Sequence, residues 1–419
     1  MERPLGNLER YMLTQSLVSC DPAMSFAAKL PRANPLATSA VLAAISTLLI
    51  RHPLLSCTVP SPKTRTPGFK GRHVEPSEVL RGGEEVSLAQ CSPTTIEDGL
   101  KIGIDAARSI DVQIGPLWQV ALLEAREASS TEAGVGEGTM LVLGISHVIS
   151  DGVGSKNLFE ELLALAYHPA DSATVAAAPT LESCVDTRPS VRQTFQIIFK
   201  EKISPQLPTF LAPTSLPSFP RPLAVPDAHK QPTALRLVSI PFDIVSAIKR
   251  SGKSHGINTL HPILHGCLLG ALVLACPTDA SPSAIKLFTP SSLRCEGIHP
   301  QATGNYIAGF ESEDRDLTPK SPFWPICRSF AARLVDPAER AKAAGMTGRT
   351  RFIPDAEPNG WFPFLEAKRD KGLEKRISCV HSNVGVVHTP HGVEVAWAHN
   401  ATAVGPAFVL SVRGICFIL

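Results

Sequence analysis

Apolar residues recur along this chain with two different periods, and the switch between them marks out the elements. Val41, Leu42, Ile45, Leu48 and Leu49 return at helical spacing after Asn34-Pro35 and the Thr38-Ser39 start, until Pro53 stops the pattern. A helix with one buried face is predicted there. Trp118 to Ala125 and Met140 to Ser146 are short apolar runs on either side of Thr131 to Thr139, a stretch rich in Gly, Ser, Thr and Glu. They predict adjacent strands joined by a flexible loop. After Asp151, Leu158, Phe159, Leu162, Leu163 and Ala166 share one helical face, with Glu160 and Glu161 on the other. In the second half the pattern predicts a strand over Ala234 to Ile240 and a helix over Asp243 to Arg250. A further helix starts near Asn258-Thr259 and runs through Ile263, Leu264, Cys267, Leu268 and Leu272. Later strands are predicted at Ala284 to Thr289, Ile377 to Asn383, Val384 to Val387 and Val393 to Ala398. The mixture is α/β without regular alternation, and no solenoid-type repeat is present.

With 419 residues, 44% of them hydrophobic, the chain is long enough for two domains of ordinary size. The segment Ser204 to Pro232 holds eight of the 37 prolines and almost no periodic pattern, as an extended crossing between two halves would. The expected organisation is an N-terminal lobe over 1–203, a Pro-rich crossover over 204–232 and a C-terminal lobe over 233–419. The 40 basic and 38 acidic residues leave a formal charge of +2 with no long single-sign run, so a nucleic-acid partner is not expected. Met1 to Asn7 lacks the basic patch and apolar core of a signal peptide. The most apolar stretch, Val41 to Ile50, is only about half of a membrane span. No integral membrane segment and a cytoplasmic location are therefore expected. The ten cysteines are scattered without a C-x-x-C pair, which fits reduced thiols; Cys267 and Cys276 are expected to be small core residues.

The chemistry concentrates at His147-Val148-Ile149-Ser150-Asp151-Gly152, where an apolar strand delivers a histidine into a tight turn ahead of an amphipathic helix. Imidazole is the side chain best suited to take a proton from an alcohol near neutral pH. The spacing alone fits a core histidine satisfied by a carbonyl equally well. What favours a functional role is the position: nothing in core packing requires an imidazole at a strand end, where Gly152 lets the backbone turn sharply. Asp151, four residues on across a turn, is expected to point away from the ring and to form a structural ion pair, with Arg294 as the best candidate partner. Gly152-Val153-Gly154 resembles the opening of a dinucleotide fingerprint but has Asn157 where the third glycine belongs. His381, His388 and His391 lack carboxylate or thiolate companions at ligand spacing, so exposed turn histidines are expected and no metal. The G-x-S-x-G pattern is absent, which argues against a covalent acyl-serine. Direct attack on a thioester by an alcohol or amine, with His147 as base, is the simpler chemistry.

These residues carry a family likeness. The H-x-x-x-D-G segment formed by His147, Asp151 and Gly152 resembles that of the fungal alcohol acetyltransferases. That family belongs to a superfamily of CoA-dependent acyltransferases that includes chloramphenicol acetyltransferase, the plant BAHD enzymes and peptide-synthetase condensation domains. Similar marks follow in order: Leu5 to Tyr11 for the opening helix, Arg51-His52-Pro53-Leu54-Leu55, Pro116-Leu117-Trp118, Arg188-Pro189-Ser190, Pro290 to Arg294, Gly304-Asn305-Tyr306, and Ser382-Asn383-Val384-Gly385. The resemblance implies an α/β fold of two chloramphenicol-acetyltransferase-like lobes with mixed sheets and a central tunnel between them. It implies His147 as general base, Asp151, Gly152 and Arg294 as structural support of the site, and Ser382 or Asn383 as oxyanion donor or tunnel-lining group. A strand-end turn is the competing role for Ser382 and Asn383. Acetyl-CoA, or another acyl-CoA, would be a co-substrate and not a tightly bound cofactor, and the protein a monomer. The family continues beyond the S-N-x-G strand through further strands and a closing helix, so the apolar end Ser411 to Leu419 reads as a shortened C-terminal lobe.

The leading expectation is an acyl-CoA-dependent O-acyltransferase that acetylates a hydroxyl of a small apolar alcohol, such as a terpenoid of fungal secondary metabolism. A condensation-type domain acting on carrier-bound substrates is the second; Ser146 stands where such domains usually carry another histidine. A truncated homologue that binds ligand without turnover is the third.

Overall fold

The computed structural model describes residues 2–18, 22–81, 95–125, 138–170, 178–199, 203, 206–207, 234–275, 284–294, 298–353, 360–370, 377–400 and 408–418. The expected loop at 131–139 falls almost wholly outside the described residues, as do Cys276 and nearly all of the 204–232 crossover. The first half runs β1 (Glu2–Pro4), α1 (Asn7–Leu17), β2 (Ala23–Leu30), α2 (Thr38–Arg51), β3 (Cys57–Thr58), β4 (Gly68–Gly71), α3 (Pro76–Val79), β5 (Leu80–Arg81), α4 (Ile96–Arg108), β6 (Trp118–Ala125), β7 (Gly138–Ser146), α5 (Gly152–Tyr167), α6 (Leu181–Cys184) and α7 (Val191–Ile198). The second continues with α8 (Phe242–Ser254), α9 (Leu260–Ala275), β8 (Ile285–Ser292), β9 (Ile307–Asp314), α10 (Phe323–Val335), α11 (Pro337–Gly348), α12 (Trp361–Asp370), β10 (Cys379–Pro390), β11 (Glu394–His399) and β12 (Phe408–Ile418). No helix among the described residues is long and apolar enough to cross a membrane.

The sheet that matters for function has the order β11-β2-β7-β6-β5, antiparallel except for the parallel β5–β6 pair at one edge. Its central strand β7 lacks polar–apolar alternation because both faces are covered. Leu141, Leu143 and Ile145 join Met24 and Phe26 under α2 and α5, whereas Met140 and Val142 face α4. Such double coverage turns a strand into a continuous apolar run. α4 is started by a reciprocal Thr95–Asp98 capping box and comes so close to β7 that a Cβ on Gly144 would stand 2.2 Å from the Gly103 carbonyl oxygen. On the opposite face Phe26 packs against Phe159 of α5 and Trp397 of β11, with ring centroids 5.4 and 5.7 Å away. Full burial of each such ring is worth roughly 1.5–3 kcal/mol.

Several of the short motifs prove to be fasteners. Arg51 and His52, at the end of α2, both bond Glu161 of α5, at 2.7 and 2.8 Å. Glu161, placed on the polar face by periodicity, thus ties two helices together. The Trp118 indole donates to the Leu55 carbonyl at 3.0 Å, and Ser190 caps α7.

The second sheet, β12-β10-β8-β9, is parallel across β12, β10 and β8 and antiparallel between β8 and β9. Four expectations are corrected here. The two strands expected at 377–383 and 384–387 are one strand, β10, whose register shifts between Asn383 and Val386; Gly385 at φ +80° allows a bulge in place of a turn. Residues 234–240 form no strand. Their side chains stand mostly in solvent, no described strand pairs with them, and the Leu237 N–H is taken by the Glu97 carboxylate of α4. Cys267 lies on the exposed face of α9, one helical position beyond the buried His265 and Gly266. His381 sits in mid-strand on β10, fully buried, whereas His388 and His391 are exposed.

That burial of His381 belongs to a cluster. Its ring stacks on His261 at 4.1 Å, and His265 stacks on Phe330 at 3.7 Å; among the described residues neither nitrogen of His381 or His261 has a hydrogen-bond partner. Among the described residues no group of three His, Cys, Asp or Glu side chains is arranged to hold a metal ion. Burial pushes the three pKa values down, to about 4 for His261, about 3 for His265 and about 2 for His381, with the neighbouring imidazoles adding to the effect in the last two. The unfolded chain therefore binds protons that the fold refuses. The stabilisation from these groups is fully present above the unfolded histidine value of about 6.5 and is lost as pH falls from there toward the folded values. The urea midpoint is expected to drop between about pH 7.5 and pH 5, and His381→Phe to flatten that dependence; a midpoint flat over this range would contradict the assignment.

Candidate active site

β7 ends at Ser146, and the chain is turned out of the sheet by bonds to its neighbours. The His147 N–H donates to the Pro22 carbonyl at 3.0 Å, the Val148 N–H to Ser146 Oγ at 3.3 Å and the Ile149 N–H to the Ser146 carbonyl at 3.3 Å. The turn closes at Asp151, which caps α5 by accepting from the Gly154 N–H at 2.8 Å. The Asp151 carboxylate is fully buried. It also receives Arg294 Nη1 at 3.0 and 2.9 Å and the Tyr306 N–H at 2.8 Å, while the Asp151 N–H donates to the Gly304 carbonyl at 3.0 Å. Its lone pairs are thus directed at Arg294 and two backbone amides, not at the His147 ring. Gly154 makes room for this arrangement, because a Cβ there would lie 2.9 Å from Arg294 Nη2. The glycine pattern that resembles a dinucleotide fingerprint serves an arginine, and the helix N-terminus already holds the chain's own carboxylate. Gly152, the first residue of α5, lets β10 approach: a Cβ there would meet Val384 at 3.1 Å.

The ring of His147 is only 6% exposed and is held by Asn305. The Asn305 side-chain nitrogen donates to the carbonyls of His147 and Val148 at 2.7 and 3.0 Å, so both amide hydrogens are spent. Asn305 Oδ1 is then the atom that faces His147 Nδ1, at 3.0 Å, and being an acceptor it requires a hydrogen on Nδ1. The bonding pattern therefore assigns the Nδ1–H tautomer, and among the described residues no hydrogen bond takes up the Nε2 lone pair. Burial lowers the His147 pKa, against the opposing charge of Asp151 and hydrogen bonds to its own backbone, to Asn305 and to the Ser150 backbone, so the ring is neutral at physiological pH. A neutral imidazole with a fixed tautomer and one free lone pair can act as a general base. Asn305→Leu is expected to cost about 1–3 kcal/mol, since it strands two carbonyls and one ring N–H, and to release the ring to both tautomers. Urea denaturation and the nitrogen-15 shifts of His147 would read these; an unchanged single tautomer would contradict the role given to Asn305.

The structure thus gathers His147, Asp151, Gly152 and Arg294 around one turn. It does not bring Ser382 or Asn383 into hydrogen bonding with them: both are half-buried on β10, and Asn383 Oδ1 accepts from the Gly385 N–H at 2.8 Å within its own bulge. Two further residues reach the turn without having been singled out for it. Asn305 lies behind Gly304, whose φ of +144° suits a glycine; the G-N-Y segment is visible in the sequence, but its function is not. His399 terminates β11, and its ring meets that of His147 edge to face at 5.3 Å. The run Val393 to Ala398 ends on a histidine just as Met140 to Ser146 does, a signal open to a reader who compares strand ends.

No family sequence model matches the chain, and no curated protein matches it in sequence. Solved structures do match in shape along almost its whole length. A trichothecene 15-O-acetyltransferase from Fusarium sporotrichioides superposes with a TM-score of 0.63 at 13% identity, covering 99% of this chain and 88% of that one. The first condensation domain of the CDA synthetase matches with a TM-score of 0.59 at 13% identity, over 99% and 87%. The mixed α/β fold is the one shared by these acetyltransferase and condensation-domain structures. A third structure of the same fold, the starter condensation domain of rhizomide synthetase, was solved in complex with C8-CoA; its TM-score is 0.55 at 10% identity, over 98% of this chain and 86% of that one.

Proposed function

We propose that the chain transfers an acyl group, acetyl in the simplest case, from its CoA thioester to a hydroxyl of a small apolar molecule such as a terpenoid alcohol. The observation that carries this is the neutral His147 ring with its Nδ1 hydrogen on Asn305 and its Nε2 lone pair unspent. The likeness in fold to a trichothecene 15-O-acetyltransferase supports the choice of an alcohol acceptor, and the condensation-domain structure with C8-CoA supports an acyl-CoA donor.

The chemistry proceeds in one ternary complex. Nε2 takes the proton of the alcohol as its oxygen attacks the thioester carbonyl, which gives a tetrahedral intermediate and an imidazolium. Collapse breaks the C–S bond, the imidazolium returns its proton to the leaving sulfur, and ester and CoA thiol result. Asp151, held by Arg294, fixes the turn that carries His147 and takes no proton. Ser382 and Asn383 remain candidates for lining the substrate path beside Val384. CoA enters as co-substrate, and a cytoplasmic monomer is sufficient for this chemistry.

A second reading, condensation on carrier-bound substrates, draws on the structural matches to condensation domains. Ser146 Oγ, at the position of the extra histidine in such domains, is engaged with the Val148 N–H. One experiment separates the two: release of free thiol from acetyl-CoA with a panel of terpenoid and simple alcohols, for wild type and His147→Ala. Alcohol-dependent release that collapses in the variant supports the proposal. Release that survives the substitution overturns the mechanism, and transfer only from a carrier-protein thioester selects the second reading.

A further inference from the structure

β11 and β7 flank β2; at the same end of the sheet β11 ends on His399 and β7 runs directly into His147. Ser146 is paired with Ala23 and His399 with Met24, so the two histidines leave the sheet on either side of one strand. Asn400 locks that end in place: its N–H donates to the Ala23 carbonyl at 3.2 Å, and its Oδ1 accepts from the Ala23 N–H at 2.8 Å. The rings of His399 and His147 then stand edge to face, with centroids 5.3 Å apart and planes at 80°.

His399 Nε2 is buried and has no hydrogen-bond partner among the described residues. A buried nitrogen left without a partner costs about 1–3 kcal/mol. Around it the turn is well satisfied: Asp151 and Asn305 have both spent their side-chain atoms on partners. An orphaned polar atom beside a satisfied base marks the place where a bound group completes the bonding. Burial pushes the His399 pKa down to about 3, with the adjoining His147 as the smaller cause. A ring so hard to protonate is a poor base, but its N–H remains a good hydrogen-bond donor, the use to which a neutral imidazole is put when it polarises a carbonyl.

Attack on a thioester leaves negative charge on the former carbonyl oxygen, and a donor must meet that charge close to the base that drives the attack. Ser382 and Asn383, the alternatives on β10, form no hydrogen bond to the turn among the described residues, and Asn383 lies within its own bulge, where its Oδ1 accepts from the Gly385 N–H. We propose that His399 is this donor, its Nε2–H accepting no proton and losing none, but bonding the thioester oxygen as it becomes an oxyanion. The inference rests on the acyl-transfer reading above. The step is balanced without further reactants: the alcohol proton goes to His147, the C–O bond forms, the C–S bond breaks, and the sulfur leaves with the proton from His147.

Three chains decide it in the same thiol-release assay: wild type, His399→Phe and His399→Gln. The phenylalanine keeps the ring contact and removes the donor, so kcat is expected to fall by about 10²–10³-fold, with the KM for acetyl-CoA changed by less than about threefold. The glutamine restores an N–H near the same place and is expected to retain all but about tenfold of the activity. Nitrogen-15 shifts of wild-type His399 should show the Nε2–H tautomer, a readout that needs no turnover and that stands even if a variant fails to fold. Wild-type turnover with an equally active His399→Phe, or an Nδ1–H tautomer, overturns this assignment alone. A wild-type chain with no alcohol-dependent release overturns the acyl-transfer reading and this assignment with it.

Discussion

Alanine at position 147 is expected to lower alcohol-dependent release of CoA thiol by about 10²–10⁴-fold, the usual worth of a positioned general base. Most of the fall should be in kcat, because the proposed mechanism uses His147 for the transfer of a proton and not for holding CoA. The pH profile gives the effect a second signature. Burial lowers the His147 pKa from its ordinary value, so the base is already unprotonated through the neutral range. The acid limb of kcat should therefore lie below about pH 6.5, and it should vanish in the residual activity of His147→Ala. One control is needed. Asn305 loses one of its three bonds in the variant, which bears on stability by roughly 1–3 kcal/mol, so the folded fraction must be measured alongside the rate. A variant with wild-type kcat and a raised KM would instead show that the histidine binds substrate and takes no part in chemistry.

Replacing Arg294 by methionine is expected to destabilise the chain by about 3–5 kcal/mol in urea denaturation. The reason is what remains behind. Asp151 is wholly buried and the Arg294 side chain only 10% exposed, so the guanidinium cannot be replaced by water without opening the fold. A carboxylate stripped of its ion partner keeps the bonds from the Gly154 and Tyr306 N–H groups but has no compensating charge. Adding Asp151→Asn should recover part of the loss, since the amide removes the buried charge; the double variant is then more stable than the sum of the single effects predicts. A loss below about 1 kcal/mol for Arg294→Met would place the pair with solvent-screened surface bridges and deny it this role.

The helices of the first half are legible because one face of each is apolar and their ends are marked. Pro53 follows the exit of α2, and Asp151 caps α5. The covered strands β6 and β7 are legible for a different reason, that apolar runs of eight or nine residues leave few alternatives. The region 234–240 shows the limit of such patterns: an alternating segment becomes a strand only if another strand offers its edge, and pairing partners are not written in local periodicity. The same holds for β10, where a glycine at positive φ signals equally a turn or a bulge. In the site, His147 stands out through its own neighbours. Asn305 and His399 do not, since what makes them part of it is a contact across 158 residues in one case and a shared strand in the other. His381 is misjudged for the same reason. It packs against His261 and His265 of α9, which no pattern within the strand reveals.

The residue that decides where the proton sits on His147 is synthesised 158 positions after it, and the donor that fixes Asp151 follows at a similar remove. A nascent chain that has delivered β7, the turn and α5 therefore carries a histidine whose tautomer Asn305 does not yet fix and an aspartate without its Arg294 partner. Contacts of such long range form late and slowly in folding. On the proposed function, the geometry at position 147 is complete only once the segment that carries Arg294 and Asn305 has packed against the turn.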